Sequence, residues 1–212
     1  LDDAVGRALI DSGLDELRVS LDAADPRTYV RLRGEPLLNR VIGNLERFVG
    51  LQRERQASLP RVSLWMTGTR ENIAELPGLV KLAHEVGVPE VHLQRLVYFL
   101  DAPDPPGLMN GGYALSADDR WIDGVLAEAE TVARELGVRL RASGATGPRG
   151  SLAALRENGL RPWLACARPW TTAYVTANGN CLPCCFGPFA TTDYDSLKMG
   201  NLFQQDFADI WN

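Results

Sequence analysis

All four cysteines of this chain fall within twenty residues, at Cys166, Cys181, Cys184 and Cys185. Thiolates ligate soft or borderline metals, so a group of this kind suits zinc or an iron–sulfur cluster. Cys181 and Cys184 form a CxxC across Pro183, with Cys185 adjacent. Neighbouring residues point in different directions, which makes Cys184 and Cys185 awkward ligands for one ion. A structural zinc site normally shows two dyads, and only one is present. Spacing therefore favours iron–sulfur over zinc. A disulfide or redox CxxC and buried inert thiols stay open as alternatives. The aromatic residues around them, Trp170, Tyr174, Phe186 and Phe189, read as core rather than as a stacking platform.

A second set of polar residues stands at the end of an apolar alternation. In "ELRVSLD", Leu17, Val19 and Leu21 take one face, and Arg18, Ser20 and Asp22 the other. That is strand periodicity. In parallel α/β sheets the chemistry sits at the C-terminal ends of strands, where Ser20 and Asp22 lie. A hydroxyl and a carboxylate two residues apart can receive a ribose or an amino-acid head group. The plainer alternative is that Ser20 packs as a small polar residue and Asp22 caps the turn "DAADP". Arg31 and Arg33 could clamp a carboxylate or simply face water. The two histidines, His84 on a helix and His92 early on a strand, make no case for a Ser/His/Asp site.

The elements that position these groups alternate. Residues 3–12 read as a helix with Ala4, Val5, Ala8 and Leu9 on one face. "LLNRVIGNLERFVGL" is helical through Leu38, Val41, Ile42, Leu45, Phe48 and Val49. "RVSLWMTG" is a second strand. Residues 73–86 form a helix with Ile73, Leu76, Val80, Ala83 and Val86 inward, Pro77 in its first turns and Gly87 closing it. "EVHLQRLVYF" is a third strand, "APDPPGLMNGGY" a loop, and "SADD" a capping box. A helix then turns Trp121, Val125, Ala129, Val132 and Leu136 inward, and "VRLRA" is a short fourth strand. This order calls for a parallel sheet covered by helices. From about residue 143 the style changes to a linker, then to short strands and turns, with "AYVTANGNCLP" reading as a hairpin turning at Asn178-Gly179. So small a module has too little core to be comfortable alone, and a metal would supply what is missing.

Composition narrows the function. The net charge of −5 argues against a dedicated nucleic-acid surface. No apolar run reaches membrane-spanning length, and no signal peptide is visible. Clustered thiols without a secretory signal fit a reducing, cytoplasmic setting.

"SGLDELRVSLDAADPRTYVRLRG", residues 12–34, resembles the middle of radical S-adenosylmethionine (SAM) enzymes, in which a strand of the type "lrvSlDg" is followed by "YxxiRG". "ENIAELPGLVKLAHEVGV" looks like the next helical layer of that barrel. "CARPWTTAYVTANGNCLPCC" and "MGNLFQQDFADIW" resemble the first half of a SPASM or twitch extension. Cys166, twelve residues, Gly179, four residues and Cys184 fit its pattern. The resemblance implies an α/β fold, part of a partial (β/α)6 barrel followed by a small hairpin-containing module. The expected division is 1–142 for the barrel part, 143–162 for a linker and 163–212 for the module. Such enzymes use a [4Fe–4S] cluster to cleave SAM to a 5′-deoxyadenosyl radical, which abstracts hydrogen from a peptide, a protein or a small metabolite. The electron comes from an external donor such as flavodoxin or ferredoxin, and no nucleic acid or membrane is involved. Carried over by position, Ser20 and Asp22 face SAM and Arg33 is the candidate for its carboxylate. Cys166 and Cys184 are auxiliary-cluster ligands, and the pattern leaves Cys181 and Cys185 open. The hallmark CxxxCxxC and the strands expected before Leu1 are absent, as are the later cysteines. The expectation is a fragment missing both ends, inactive alone. The other class consistent with the cysteines is a non-catalytic or electron-transfer scaffold holding iron–sulfur or zinc.

Overall fold

Strand β1 (Glu16–Ser20) begins a four-stranded sheet with β2 (Arg61–Gly68), β3 (Glu90–Arg95) and β4 (Arg139–Ala142). The order is β1-β2-β3-β4, and every neighbouring pair is parallel. Parallel neighbours need crossovers. Here they are supplied by α2 (Pro26–Arg33) and α3 (Leu38–Glu54), then α4 (Leu76–Val86), then α5 (Trp121–Leu136), with α1 (Asp3–Asp11) ahead of the sheet. The computed structural model describes residues 2–96, 113–115, 119–142, 148, 168–185, 188 and 193–211. It divides into two compact units, this parallel-sheet unit and a smaller C-terminal one. Cys166, Phe186, Phe189, residues 116–118 of "SADD" and nearly all of the expected loop at 102–113 and linker at 143–162 lie outside the described residues.

Side chains alternate across a strand, so each strand divides its residues between two faces. Val62, Leu64, Met66, Val91 and Leu93 are buried on one face. They meet Leu45, Phe48, Leu79, Val80, Ile122 and Leu126 from the helices in one core. Truncating a fully buried side chain such as Leu64 to alanine costs roughly 2–5 kcal/mol. The chain ends its helices where it must turn. Gly87 at the end of α4 has φ 78°, a conformation that side-chain-bearing residues rarely adopt, and this favours glycine there. At the other end of a helix, Asp25 caps α2 by accepting from Thr28 N–H at 2.9 Å, with Pro26 in the first turn.

Two helix faces differ from the sequence expectation. In α5 the buried residues are Ile122, Leu126, Ala129 and Ala133, and Trp121 is half exposed. Val125, Val132 and Leu136 flank that stripe. The helix is apolar over a wide arc, and packing selected the stripe one position over. In α1 the only buried residue is Gly6, with Leu9 and Ile10 partly covered, while Ala4, Val5 and Ala8 face outward.

The C-terminal unit is built on an antiparallel sheet of β5 (Tyr174–Val175), β6 (Asn180–Leu182) and β7 (Gly200–Asn201), in that order. A short helix, Arg168–Thr171, precedes it and another, Phe207–Trp211, closes it. The hairpin turns at Thr176–Gly179, with Gly179 N–H donating to Thr176 C=O at 2.9 Å. Gly179 is left-handed at φ 83°, but Asn178 is not. The connection is a four-residue turn ending in a left-handed glycine rather than a two-residue Asn-Gly turn. Asn201 ties the third strand to it, donating to Asn178 C=O and Asn180 Oδ1 at 2.9 Å each. A Cβ at Gly200 would meet Ile210 at 2.7 Å, which is why glycine stands where the closing helix packs.

Candidate functional site

The face of the parallel sheet opposite the helices is polar. Register places Ser20 beside Trp65, Trp65 beside His92 and His92 beside Arg141, a single row across all four strands. Below it lie Arg18, Ser63, Glu90 and Arg139, and above it Thr67 and Gln94. Trp65 is clamped in this row. His92 stacks on its ring at 3.9 Å between centroids and 14° between planes. The Arg18 guanidinium lies 4.5 Å from the ring centroid. The indole N–H donates to Ser63 Oγ at 2.9 Å. Such stacks and cation–π contacts contribute about 0.5–1.5 kcal/mol each and fix the ring's orientation. Arg18 in turn donates to Glu16 at 2.7 Å, and this bond holds the Glu16 carboxyl below its ordinary range.

Burial pushes the His92 imidazole below its ordinary pKa of 6.5, Arg18 and Arg141 reinforce the shift, and Glu90 opposes it. The folded form therefore prefers neutral His92, while the unfolded chain protonates near its ordinary value. The resulting stability is fully present above about pH 6.5 and is lost as pH falls through the lower folded value. The urea midpoint should fall on acidification from pH 7.5 to 5.5, and His92→Gln should flatten that fall. An unchanged slope in the variant would remove His92 as its source.

Ser20 is exposed at the C-terminal end of β1, and its hydroxyl has no hydrogen-bond partner among the described residues. Asp22 is differently placed. Its carboxylate accepts Thr67 N–H at 2.8 Å and pairs with Arg33. It braces the ends of two strands, and it does not cap the turn that follows. That turn is held instead by Glu75, which accepts the N–H groups of Ala24 and Asp25 at 2.8 Å each. Arg33 stays 40% exposed while paired with Asp22, so part of its fork faces outward. Arg31 reaches Glu71 C=O at 3.2 Å.

Behind these residues lies Asn72, which the sequence reading did not single out. It is 1% exposed. Its Nδ2 donates to Asp22 C=O at 2.9 Å and Thr67 C=O at 3.0 Å. Its Oδ1 accepts from Thr69 N–H at 2.7 Å and Thr69 Oγ1 at 3.0 Å. One side chain thus joins the ends of β1 and β2. The available signal was a lone amide between a strand and an apolar helix. Trp65 and His92 were also missed, although strand alternation puts both on the face of Ser20. A cleft of about 310 Å3 lies at the opposite end of β2, lined by Gln52, Arg53, Pro60 and Arg61, and holds none of the expected site residues.

In the C-terminal unit, Cys181 is 3% exposed within β6, while Cys184 and Cys185 are half-buried in the turn beyond it. Cys181, Cys184 and Cys185 form no disulfide. Cys166 lies outside the described residues. No three His, Cys, Asp or Glu side chains converge among the described residues. Thiols are the donors that iron–sulfur ligation takes.

The SPASM family, described as an iron–sulfur cluster-binding domain, matches residues 166–212. A probable GTP 3',8-cyclase of Sulfurisphaera tokodaii is 32% identical over 84 residues, which is 40% of this chain and 25% of that protein. SuiB of Streptococcus suis has a similar fold, with TM-score 0.67 and 19% identity over 100% of this chain and 46% of SuiB. Its SAM-bound structure gives TM-score 0.68 at 18% identity, over 100% of this chain and 45% of SuiB. Its complex with the precursor peptide SuiA gives 0.64 at 17%, over 99% and 45%. Residues 166–212 thus match the SPASM domain, the chain as a whole has a fold like that of SuiB, and both likenesses agree with the resemblance to radical SAM proteins with a SPASM extension. The chain spans a quarter of the curated relative and under half of SuiB. Among the described residues, no helix is long and apolar enough to cross a membrane.

Proposed function

We propose that the protein to which these residues belong is a radical SAM enzyme acting on a peptide. In such an enzyme a [4Fe–4S] cluster, fed by an external donor such as flavodoxin or ferredoxin, would supply the electron for reductive cleavage of SAM and so the means of taking hydrogen from the substrate. The residues of this chain hold and orient. The Ser20 hydroxyl, exposed on the polar face at the end of β1, binds the ribose or amino-acid part of SAM. Asp22 fixes the strand end beside it, and the outward part of Arg33 meets the SAM carboxylate. Trp65 and His92 form the floor beneath. Cys166 and Cys184 ligate an auxiliary cluster, with Cys185 from the same turn, and Cys181 serves as packing in β6. Cluster-bearing thiolates need a reducing compartment, which supports a cytoplasmic setting.

The observation that carries this reading is the exposed Ser20 hydroxyl, without a hydrogen-bond partner among the described residues, on the parallel sheet of a chain whose fold is like that of SuiB, which was solved with SAM and with a precursor peptide. Fold likeness supports the choice of a peptide over a small metabolite without naming the peptide. The test is SAM binding by calorimetry. Ser20→Ala should weaken it about tenfold, the scale of one lost hydrogen bond to a charged or polar ligand group. An unchanged dissociation constant would sink the assignment.

A further inference from the structure

We propose that the polar face of the parallel sheet carries a carboxylate-binding site at Arg139 and Arg141, which anchors an acidic group of the substrate. The inference deepens the reading above and rests on its assignment of this face to substrate. Four guanidiniums occupy the face, those of Arg18, Arg61, Arg139 and Arg141. Only two carboxylates answer them among the described residues on its strands, Glu16 and Glu90. Asp22, at the end of the face, is taken up by Arg33 from α2. This cationic excess stands in a chain of net charge −5, so it is a local reversal and not a general trend.

The geometry shows where the excess is concentrated. Glu16 is matched by Arg18 at 2.7 Å and lies in the field of Arg61. Arg139 Nε and Arg141 Nε both approach the same oxygen, Glu90 Oε2, at 3.3 Å each. Two cations thus share one acceptor. The arginine side chains are 58% and 57% exposed, and Glu90 beneath them is 17% exposed. Each guanidinium has five N–H donors in a planar fork, so both keep donors directed away from Glu90. An added carboxylate would meet two forks with the competing anion lying underneath. Bidentate pairing is the mode such forks favour.

The position fits an anchor rather than the reacting centre. Arg141 ends the row that starts at Ser20, three strand spacings away, or roughly 14 Å along the sheet. Trp65 and His92 fill the interval with flat, fixed rings. Contacts remote from the chemistry hold the substrate in register with it. The carboxylate can come from an acidic peptide side chain or from a free small acid, and the two sources are separable by experiment.

The experiment titrates the protein at low salt with acetyl-Gly-Glu-Gly-Glu-Gly-amide, with its glutamine counterpart, and with succinate. Tryptophan fluorescence is read against a Trp65→Phe control. The glutamate peptide should bind about tenfold more tightly than the glutamine peptide, with the preference screened away by salt. Glu90→Gln removes the competing anion and should tighten binding several-fold. Arg139→Gln/Arg141→Gln should abolish the preference, and Arg141→Lys should retain part of it. Succinate competing as well as the peptide supports a small-acid source, and failure to compete supports a peptide source. Equal binding of the two peptides, no binding of either, or indifference to Glu90→Gln would overturn the site. SAM affinity measured on the same samples keeps the two readings apart. Loss of the SAM assignment with the glutamate preference intact would sink the enzyme reading alone. The reverse would sink the anchor alone.

Discussion

Asn72→Ala should destabilise the parallel-sheet unit by about 3 kcal/mol, seen as a lower urea midpoint with an unchanged slope. The amide is buried and makes four hydrogen bonds to three residues. Alanine leaves Thr69 N–H and the carbonyls of Asp22 and Thr67 without that partner. Each unsatisfied buried group costs roughly 1–3 kcal/mol, and relaxation recovers part of the sum. Asn72→Asp keeps the shape and the acceptor but sets a carboxylate oxygen against two carbonyls, so it should be no better. Because Asp22 is one of the groups tied, SAM affinity should fall in whatever fraction stays folded. A loss below about 0.5 kcal/mol would mean that the strand ends hold without the amide, since such small changes are ordinary for surface substitutions.

Cys184→Ala should remove iron and sulfide from the C-terminal unit, while Cys181→Ala should retain them. The two thiols stand three positions apart, with Leu182 and Pro183 between them, but in different settings. Cys181 pairs with Val175 and Gly200 in the middle of the three-stranded sheet, and its carbonyl accepts Met199 N–H at 2.9 Å. Its thiol is packed away there, 3% exposed. Cys184 and Cys185 lie past the strand, where the backbone can turn a sulfur without breaking sheet bonds. Cys181→Ala should therefore cost packing, on the order of 1 kcal/mol for a small buried group, and leave the iron content intact. Iron lost equally from both variants would return Cys181 to the ligand set.

The parallel sheet could be read from the sequence because Leu17, Val19 and Leu21 alternate cleanly with polar residues, and because each of the first three strands is followed by a helix. The helix stripes were less legible. Trp121 begins an α5 that is apolar over so wide an arc that periodicity alone could not choose between two neighbouring stripes, and the sheet surface made the choice. The turn at Gly179 was half legible. The glycine's left-handed φ follows from its residue type, whereas the length of the turn is set by the pairing of Thr176 with Asn180. Asn72 offered only a lone amide between a strand and an apolar helix, and not its partners, since its four bonds join residues from position 22 to position 69. Asp22 carried a signal for polarity but not for its partner, Thr67, which is distant in sequence and adjacent only after β1 and β2 pair. The sharing of Glu90 by Arg139 and Arg141 likewise exists only once β3 and β4 lie side by side.

Metal analysis of anaerobically purified protein tests the central claim most directly. If the chain is part of a radical SAM protein with a SPASM extension, iron and acid-labile sulfide should be present together in near-equal amounts, since a [4Fe–4S] cluster holds as many sulfides as irons. Both should fall together in Cys184→Ala, by the share that the auxiliary cluster holds. Zinc without sulfide, or no metal in protein whose Cys181, Cys184 and Cys185 thiols all react freely, would contradict the account.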